Sequence, residues 1–187
     1  METEFVLDVP KEFEPLYRER PGGIVKFPNP VLRRKAKPVQ RITPEINELI
    51  DRMIERMDEA RGIGLAAPQL GVGLRVIIVA PSDREPRALI NPQALEREGS
   101  QQAEEGCLSI PAFYGEVIRP QIVTVRALNR RGKPVRLTFE GIEARVAMHE
   151  IDHLDGVLFI DRAIQETLHW HSPASDDESD EEQAAAG

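Results

Sequence analysis

The sequence predicts an α+β fold in which antiparallel and mixed β-sheets pack around a central helix that carries the HEIDH motif. Apolar residues recur at helical spacing in only two segments, near residues 44–62 and 142–155. The extended segments lie mainly between these two helices and do not alternate with further helices. This order argues against a doubly wound parallel sheet.

Length and composition predict one folded domain with a substantial core, because 41% of the 187 residues are hydrophobic. We divide the chain into an N-terminal extension at 1–22, a folded domain at 23–171 and a disordered acidic tail at 172–187. Six acids of the tail account for most of the net charge of −8, since the chain without them has 26 acids against 24 bases. The body therefore has no strongly basic surface for DNA.

The chain has neither the apolar run needed to cross a bilayer nor the basic, apolar start of a signal peptide. Its single cysteine, Cys107, cannot form an intrachain disulfide. We therefore expect a cytoplasmic protein that does not bind membranes. Cys107 on its own is most simply interpreted as a small buried hydrophobic residue.

The first helix should begin after Thr43, which can cap it, with Pro44 at its first position, and should end near Gly62. A loop is predicted at 62–73, and a second helix at 142–155 begins after Gly141. The segments 121–128 and 133–139 should form a hairpin across the turn 129–132. The other segments predicted to be extended are 74–80, 87–92 and 157–162.

His149 and His153 lie four residues apart in the second helix and therefore share one helical face. Two neutral imidazoles on one face can bind a divalent cation, and Glu150 can reach a water on that cation and act as a general base. The alternative is a solvated helix with accidental histidine spacing. Because two of only four histidines in the chain fall in this pattern, we favour a metal site.

A catalytic site of this kind needs a third protein ligand. One metalloprotease pattern would place a histidine at position 159, but this chain has Phe159 there. Glu166 is a candidate for the downstream glutamate of other zinc proteases. Cys107 is the remaining strong donor, since thiolates bind soft and borderline divalent ions well.

The segment "GIGLAA" matches the dinucleotide-binding pattern but follows a helix and precedes a strand, the reverse of the required context. We therefore reject nucleotide binding. A plain turn is one interpretation of the segment. The other is that Gly62 and Gly64 let the backbone approach a ligand closely, with the Gln69 amide nearby.

Three segments taken together, "GIGLAAPQ", "EGCLSIP" and "HEIDHLDG", resemble the three motifs of peptide deformylases, in the same order. The resemblance spans roughly residues 23–164 and implies that Cys107 completes the metal site with His149 and His153. It further implies a metallohydrolase that removes the N-formyl group from the N-terminal methionine of newly made polypeptides. One divalent metal ion is expected per chain, with iron(II) as the family expectation, although zinc, nickel or cobalt suit the same ligands.

The resemblance also implies catalytic roles within the site. Metal-bound water would attack the formyl carbon, and Glu150 would take its proton and later give one to the leaving amine. The Gln69 amide and the Leu108 backbone N–H would stabilise the oxyanion. Glu105 and Asp152 would orient the histidines, or else be ordinary surface carboxylates.

The same resemblance implies how the substrate binds. Gly64 would bond the substrate backbone in the manner of an edge strand. Ile142 and Val146, on the histidine face of the helix, would line the methionine side-chain pocket, or else simply pack in the core. The segment 112–117, "AFYGEV", lacks an arginine with which some family members contact the substrate backbone, and Met148 replaces a frequent glutamine.

Two other functions are compatible with parts of the sequence. A zinc endopeptidase could use the same HEIDH helix, but Phe159 and the Cys107 motif count against it. A non-catalytic relic of the fold would not need Glu150 and Gln69. Formylated nascent peptides are the expected partners, and the ribosome is a possible one, although the acidic tail would be repelled by RNA phosphates.

Overall fold

The computed structural model describes residues 5–18, 22–80 and 85–171. It contains two α-helices and eight strands within these ranges. The helices are α1 (Pro44–Glu59) and α2 (Ile142–Leu154). The strands are β1 (Gly64–Ala66), β2 (Val76–Val79), β3 (Arg87–Glu98), β4 (Gln101–Cys107), β5 (Ile110–Arg119), β6 (Ile122–Leu128), β7 (Pro134–Glu140) and β8 (His169–Trp170).

Two antiparallel sheets surround α2. The larger has the order β1-β2-β3-β6-β7 and the smaller the order β4-β5-β8. Every strand pair among the described residues is antiparallel, and the parallel contact there is an isolated bridge between Lys37 and Leu74. Ala144, Ala147 and Leu154 of α2 are fully buried against the larger sheet, so the predicted α+β class with a central HEIDH helix is confirmed.

The first helix also matches its prediction. It starts at Pro44 and stops three residues before Gly62, although the Thr43 side chain makes no capping hydrogen bond. Its apolar face is buried in a second cluster with β1 and β2, and its buried residues do not belong to the cluster around α2. The buried residues of this face are Ile46, Leu49, Ile50, Met53 and Met57.

Several boundaries differ from prediction. The predicted loop at 62–73 contains β1 and a 3-10 helix (Ala67–Leu70), because β1 pairs with β2 through backbone bonds that apolar periodicity does not reveal. The strand predicted at 87–92 continues as β3 to Glu98. A register shift between Ile90 and Gln93 lets the strand continue past Pro92, and a second shift follows between Ala94 and Glu96.

Two further differences concern the smaller sheet and the segment after α2. Strands β4 and β5 were not predicted, and β4 is an edge strand whose sequence has no apolar alternation. The segment 157–162 is a 3-10 turn (Phe159–Asp161) and not an extended piece, since the Asp161 side chain accepts a hydrogen bond from the Leu158 N–H and closes the turn.

The remaining predictions have mixed outcomes. The β6–β7 hairpin and the buried strand β2 are confirmed. The disorder predicted for 172–187 lies outside the described residues. Among those that are described, no helix has the length and apolar character to cross a membrane.

Candidate active site

A cleft with a volume of about 600 Å³ lies between the two sheets. Residues 60–64 before and within β1 form one wall, and residues 104–112 of β4, β5 and the turn between them form another. The helix α2 supplies the floor between Ile142 and Glu150. Both β1 and β4 are edge strands, so each wall carries backbone groups that no neighbouring strand pairs.

Three candidate metal ligands meet at this cleft. The donor atoms of Cys107, His149 and His153 all lie within 4.8 Å of one another. The two imidazoles project from successive turns of α2, with ring centroids 5.0 Å apart, and Cys107 lies at the end of β4, with its Sγ 3.3 Å from Nε2 of His153. A thiolate and two imidazoles form a suitable donor set for a divalent transition metal.

A buried ionic network orients His149. Its Nδ1 lies 3.0 Å from Oε2 of Glu105, which leaves Nε2 available for a metal. Arg119 binds both oxygens of the same carboxylate, at 2.9 and 3.0 Å, and Arg145 donates to Oε1 at 2.7 Å. All of these side chains are buried or nearly so, which fixes the carboxylate in one orientation.

The charges of this network shift the pKa values around it. Burial acts to raise the pKa of Glu105, but hydrogen bonds from Arg119 and His149 outweigh burial and lower it. Burial acts to lower the pKa of His149, but its contacts with Cys107 and Glu105 outweigh burial and raise it. Burial lowers the pKa of His153, whose neutral ring is the form that binds metal.

Glu150 points into the cleft beside the three donors. It is 5% exposed, and its Oε2 is buried without a hydrogen-bond partner among the described residues. Burial raises its pKa to about 7, an effect that the nearby positive charge of His149 opposes. A carboxylate with such a pKa can accept and return a proton near neutral pH. An unpaired buried oxygen also indicates that water or substrate belongs there.

Gly64 lies directly over Glu150. A Cβ atom at this position would come within 2.5 Å of Glu150 Oε1 and 2.6 Å of Val146 Cγ1. Any larger residue would therefore displace the carboxylate or close the cleft. The sequence alone left open whether this glycine serves a turn or lets the backbone approach a ligand closely. The structure shows that its close contact with Glu150 and Val146 requires a residue without a side chain.

The Gln69 amide is fixed at the cleft by both of its ends. Its Oε1 accepts a hydrogen bond from the Ala66 N–H at 2.9 Å. Its Nε2 therefore faces the turn after β4, where it lies 3.2 Å from Ser109 Oγ and 3.6 Å from Cys107 Sγ. Leu108 forms the same turn, with its carbonyl oxygen bound by the Lys26 ammonium at 2.7 Å. An amide donor and the turn backbone thus flank the Cys107 sulfur.

Ile142 and Val146 both line the cleft from α2. Val146 is buried and also belongs to the core around α2, whereas Ile142 is 56% exposed. Val146 therefore lines the cleft and also packs in the core. Ile142 packs in no core cluster, so its exposed apolar surface is free to meet a ligand.

Comparison with known proteins decides the family. The family model described as polypeptide deformylase matches residues 21–168. The chain belongs to the polypeptide deformylase family. It is 49% identical to the peptide deformylase of Desulforudis audaxviator over 141 residues, which is 75% of this chain and 92% of that protein. It is 52% identical to that of Halothermothrix orenii over 143 residues, which is 76% of this chain and 93% of the relative.

Solved structures agree with this assignment. The crystal structure of the peptide deformylase from Thermotoga maritima has a TM-score of 0.74 at 43% identity and covers 78% of this chain and 99% of its own. The peptide deformylase from Synechococcus elongatus in complex with actinonin also has a TM-score of 0.74, at 42% identity. The match covers 78% of this chain and 82% of that one. As a deformylase family member, the chain is a metal-dependent hydrolase that removes N-formyl groups from peptides, and the endopeptidase alternative is not supported.

Two positions that the sequence analysis considered for the third metal ligand, and one considered for orienting a histidine, do not belong to the ligand cluster. Phe159 is buried in the core, and Glu166 lies in a 3-10 turn (Gln165–Thr167) outside the metal-ligand cluster. Asp152 was expected to orient a histidine or to lie on the surface, and the surface alternative is wrong. It is buried, and among the described residues its carboxylate accepts hydrogen bonds from Arg119 and Arg162, with the Arg162 Nη2 contact at 2.7 Å.

Arg119 and Arg145 were not identified from the sequence as parts of this deformylase site, although the position of each in its element indicates an inward-facing side chain. Arg145 lies four residues before His149 and three after Ile142, so it shares the helix face that faces the cleft. Arg119 lies two residues after the buried Val117, so the two side chains lie on the same face of β5. A charged residue at an inward position needs a buried partner, and Glu105 is that partner for both arginines.

Proposed function

We propose that the chain removes the N-formyl group from the N-terminal methionine of newly made polypeptides in the cytoplasm. The observation that carries the proposal is the meeting of Cys107, His149 and His153 within 4.8 Å beside the buried, unpaired carboxylate of Glu150. Hydrolysis of an amide needs an activated water and a group that moves its proton. The cleft provides candidates for both.

We propose that Cys107, His149 and His153 hold one divalent ion, with iron(II) as the native metal. The mixed thiolate and imidazole donors also suit zinc, nickel or cobalt, so the ligand set alone does not select among them. When bound, such an ion acidifies water and polarises the formyl carbonyl. The contact between Glu105 and His149 supports this proposal, because it fixes the ring that carries one donor.

We assign the proton transfers to Glu150. Its carboxylate would accept a proton from the water that attacks the formyl carbon and deliver it to the amine nitrogen as the C–N bond breaks. The raised pKa, about 7, supports both transfers because neither protonation state is strongly favoured. The products are formate and a peptide with a free methionine amine.

We assign stabilisation of the developing oxyanion to Gln69 and to the backbone N–H of Leu108. The Gln69 Nε2 donor is held by the bond between its Oε1 and the Ala66 N–H, so it needs little reorganisation during the reaction. Its distance of 3.6 Å from Cys107 Sγ supports a role next to the reacting carbon. Leu108, the residue after Cys107, shares the same wall of the cleft.

We assign substrate binding to Gly64, Ile142 and Val146. Gly64 belongs to the edge strand β1, where a peptide can add as a further strand. The position of Ile142 and Val146 in the cleft supports an apolar pocket for an unbranched side chain such as that of methionine. Since formylated N-termini belong to nascent chains, we propose the ribosome as a partner. The acidic C-terminal segment would be repelled by the phosphates of ribosomal RNA and would therefore oppose this contact.

The proposal is tested with protein purified without oxygen, its metal content measured on the same sample. N-formyl-Met-Ala-Ser should yield formate and free Met-Ala-Ser in equal amounts. An unformylated protein substrate such as casein should stay intact. Cleavage of internal peptide bonds, or no release of formate from the metal-loaded protein, would contradict the proposal.

A further inference from the structure

The N-terminal segment 5–18 lies outside the region that the family model matches, yet it packs on the folded domain. Phe13 is 5% exposed and stacks on Trp170 of β8, with ring centroids 5.1 Å apart. The Trp170 ring in turn packs against the ring of Phe113 of β5, with ring centroids 4.7 Å apart. Three aromatic rings therefore join the segment to the smaller sheet, which also forms a wall of the cleft.

A second contact fixes the segment close to the metal ligands. The Tyr17 hydroxyl donates a hydrogen bond to the carbonyl oxygen of Pro111 at 3.1 Å. Pro111 lines the cleft just after the turn that carries Cys107. Burial raises the pKa of Tyr17, and the nearby Cys107 adds to the rise. The 3-10 helix Glu14–Tyr17 is thus anchored on both of its sides, by Phe13 and by Tyr17.

Leu16 lies between these two anchors and takes no part in a core cluster. Its side chain is 40% exposed and lines the cleft together with Pro111 and Ala112. This part of the wall comes from a different element from Ile142 and Val146, which line the cleft from α2. The anchors therefore hold an apolar side chain at the cleft, on an element other than the helix that carries the proposed methionine pocket.

We propose that Leu16 is a specificity-determining residue that contacts the side chain following the formylmethionine of the substrate. The inference rests on the proposed function and extends it to the second residue of the peptide. An apolar second residue would remove the exposed surface of Leu16 and the half-buried Pro111 from water, whereas glycine would leave it exposed. The N-terminal segment would thereby add a subsite wall that the matched family region does not contain.

The test compares kcat and KM for N-formyl-Met-Leu-Ser and N-formyl-Met-Gly-Ser. The variants are Leu16→Ser, Leu16→Met as the conservative replacement, and Val6→Ser as a matched control. Val6 belongs to the same segment and is 84% exposed, but does not line the cleft. Melting temperatures of all variants show whether the segment and domain remain folded.

The wild type should prefer the leucine peptide. Leu16→Ser should reduce the ratio of kcat/KM values, leucine over glycine, by roughly 3- to 10-fold, mostly through KM of the leucine peptide. Leu16→Met and Val6→Ser should keep the wild-type ratio. The inference is overturned if the wild type shows no preference, or if Leu16→Ser slows both peptides equally. Absence of formate release from both peptides by the wild type would instead overturn the proposed function.

Discussion

Oε2 of Glu105 lies 3.0 Å from Nδ1 of His149, while Oε1 of the same carboxylate accepts hydrogen bonds from two buried arginines. The carboxylate therefore fixes both the tautomer and the orientation of one proposed metal ligand. Because Arg119 also binds Asp152 next to His153, the network spans the helix turn that carries both histidines. Metal binding and the buried charges are thus coupled through this single carboxylate.

Glu105→Gln should weaken metal binding. The amide can still occupy the position, but it accepts less strongly and leaves Arg119 and Arg145 without their negative partner. We expect a loss of roughly 10- to 100-fold in metal affinity, as is typical when a residue that orients a ligand is replaced. Competition with a chromogenic chelator measures it. Glu104→Gln is the matched control, because Glu104 is the exposed neighbour on β4, and an equal loss in both variants would argue against this role.

Stability in acid should also depend on Glu105. Its pKa in the folded protein lies below its usual value of 4.5, so the unfolded chain takes up the proton first as the pH falls. The stability that Glu105 contributes is therefore fully present above about pH 4.5 and declines below it. In metal-free protein between about pH 3 and 4.5, the unfolding free energy of the wild type should fall more steeply than that of Glu105→Gln, by up to about 1.4 kcal/mol per pH unit. Urea unfolding at several pH values measures both slopes, and parallel slopes would contradict the lowered pKa.

Glu150→Gln should separate metal binding from catalysis. Glu150 follows His149 directly and lies outside the cluster of three donors, so the variant should keep its metal. Turnover should fall by roughly 10²- to 10⁴-fold, the usual effect of removing a general base. Metal analysis and formate release are measured on the same sample, with Glu140→Gln, an exposed residue just before α2, as the control. Loss of metal in parallel with activity would make Glu150 a ligand or a structural residue instead.

Gln69→Leu should act on the transition state. The leucine preserves volume but removes the Nε2 donor that faces Cys107. We expect kcat to fall by roughly 10²- to 10³-fold with little change in KM, since an oxyanion donor contributes most when charge develops. Gln93→Leu, on an exposed part of β3, should keep both constants. An effect confined to KM would restrict Gln69 to substrate binding.

The sequence predicted those parts of the fold that local periodicity determines. The helix α2 and its pair of histidines follow from spacing within one element, and α1 follows from a single apolar face. Strand β4 lacked a signal because its sequence has no apolar alternation, and β3 was cut short at Pro92, which a bulge accommodates. Backbone pairing with a neighbouring strand decides such elements, and apolar periodicity does not report it.

The site was predictable to the extent that its parts are local or carried by family motifs. Residue spacing alone left Cys107 and Glu166 as alternatives for the third ligand, because the strand that brings Cys107 to α2 is distant in sequence. The two buried arginines and the cleft contact of Leu16 depend on tertiary packing in the same way. The motif resemblance identified the family, but it did not reveal this network.

The central claim is that one metal ion, held by Cys107, His149 and His153, makes this chain a deformylase. The most direct measurement is an anaerobic titration of metal-free protein with iron(II), following formate release from N-formyl-Met-Ala-Ser. Activity of the wild type should rise linearly and saturate at one equivalent per chain, and Cys107→Ala should stay inactive and fail to retain iron on gel filtration. Full activity without metal, or Cys107→Ala that retains one iron and turns over like the wild type, would contradict the account.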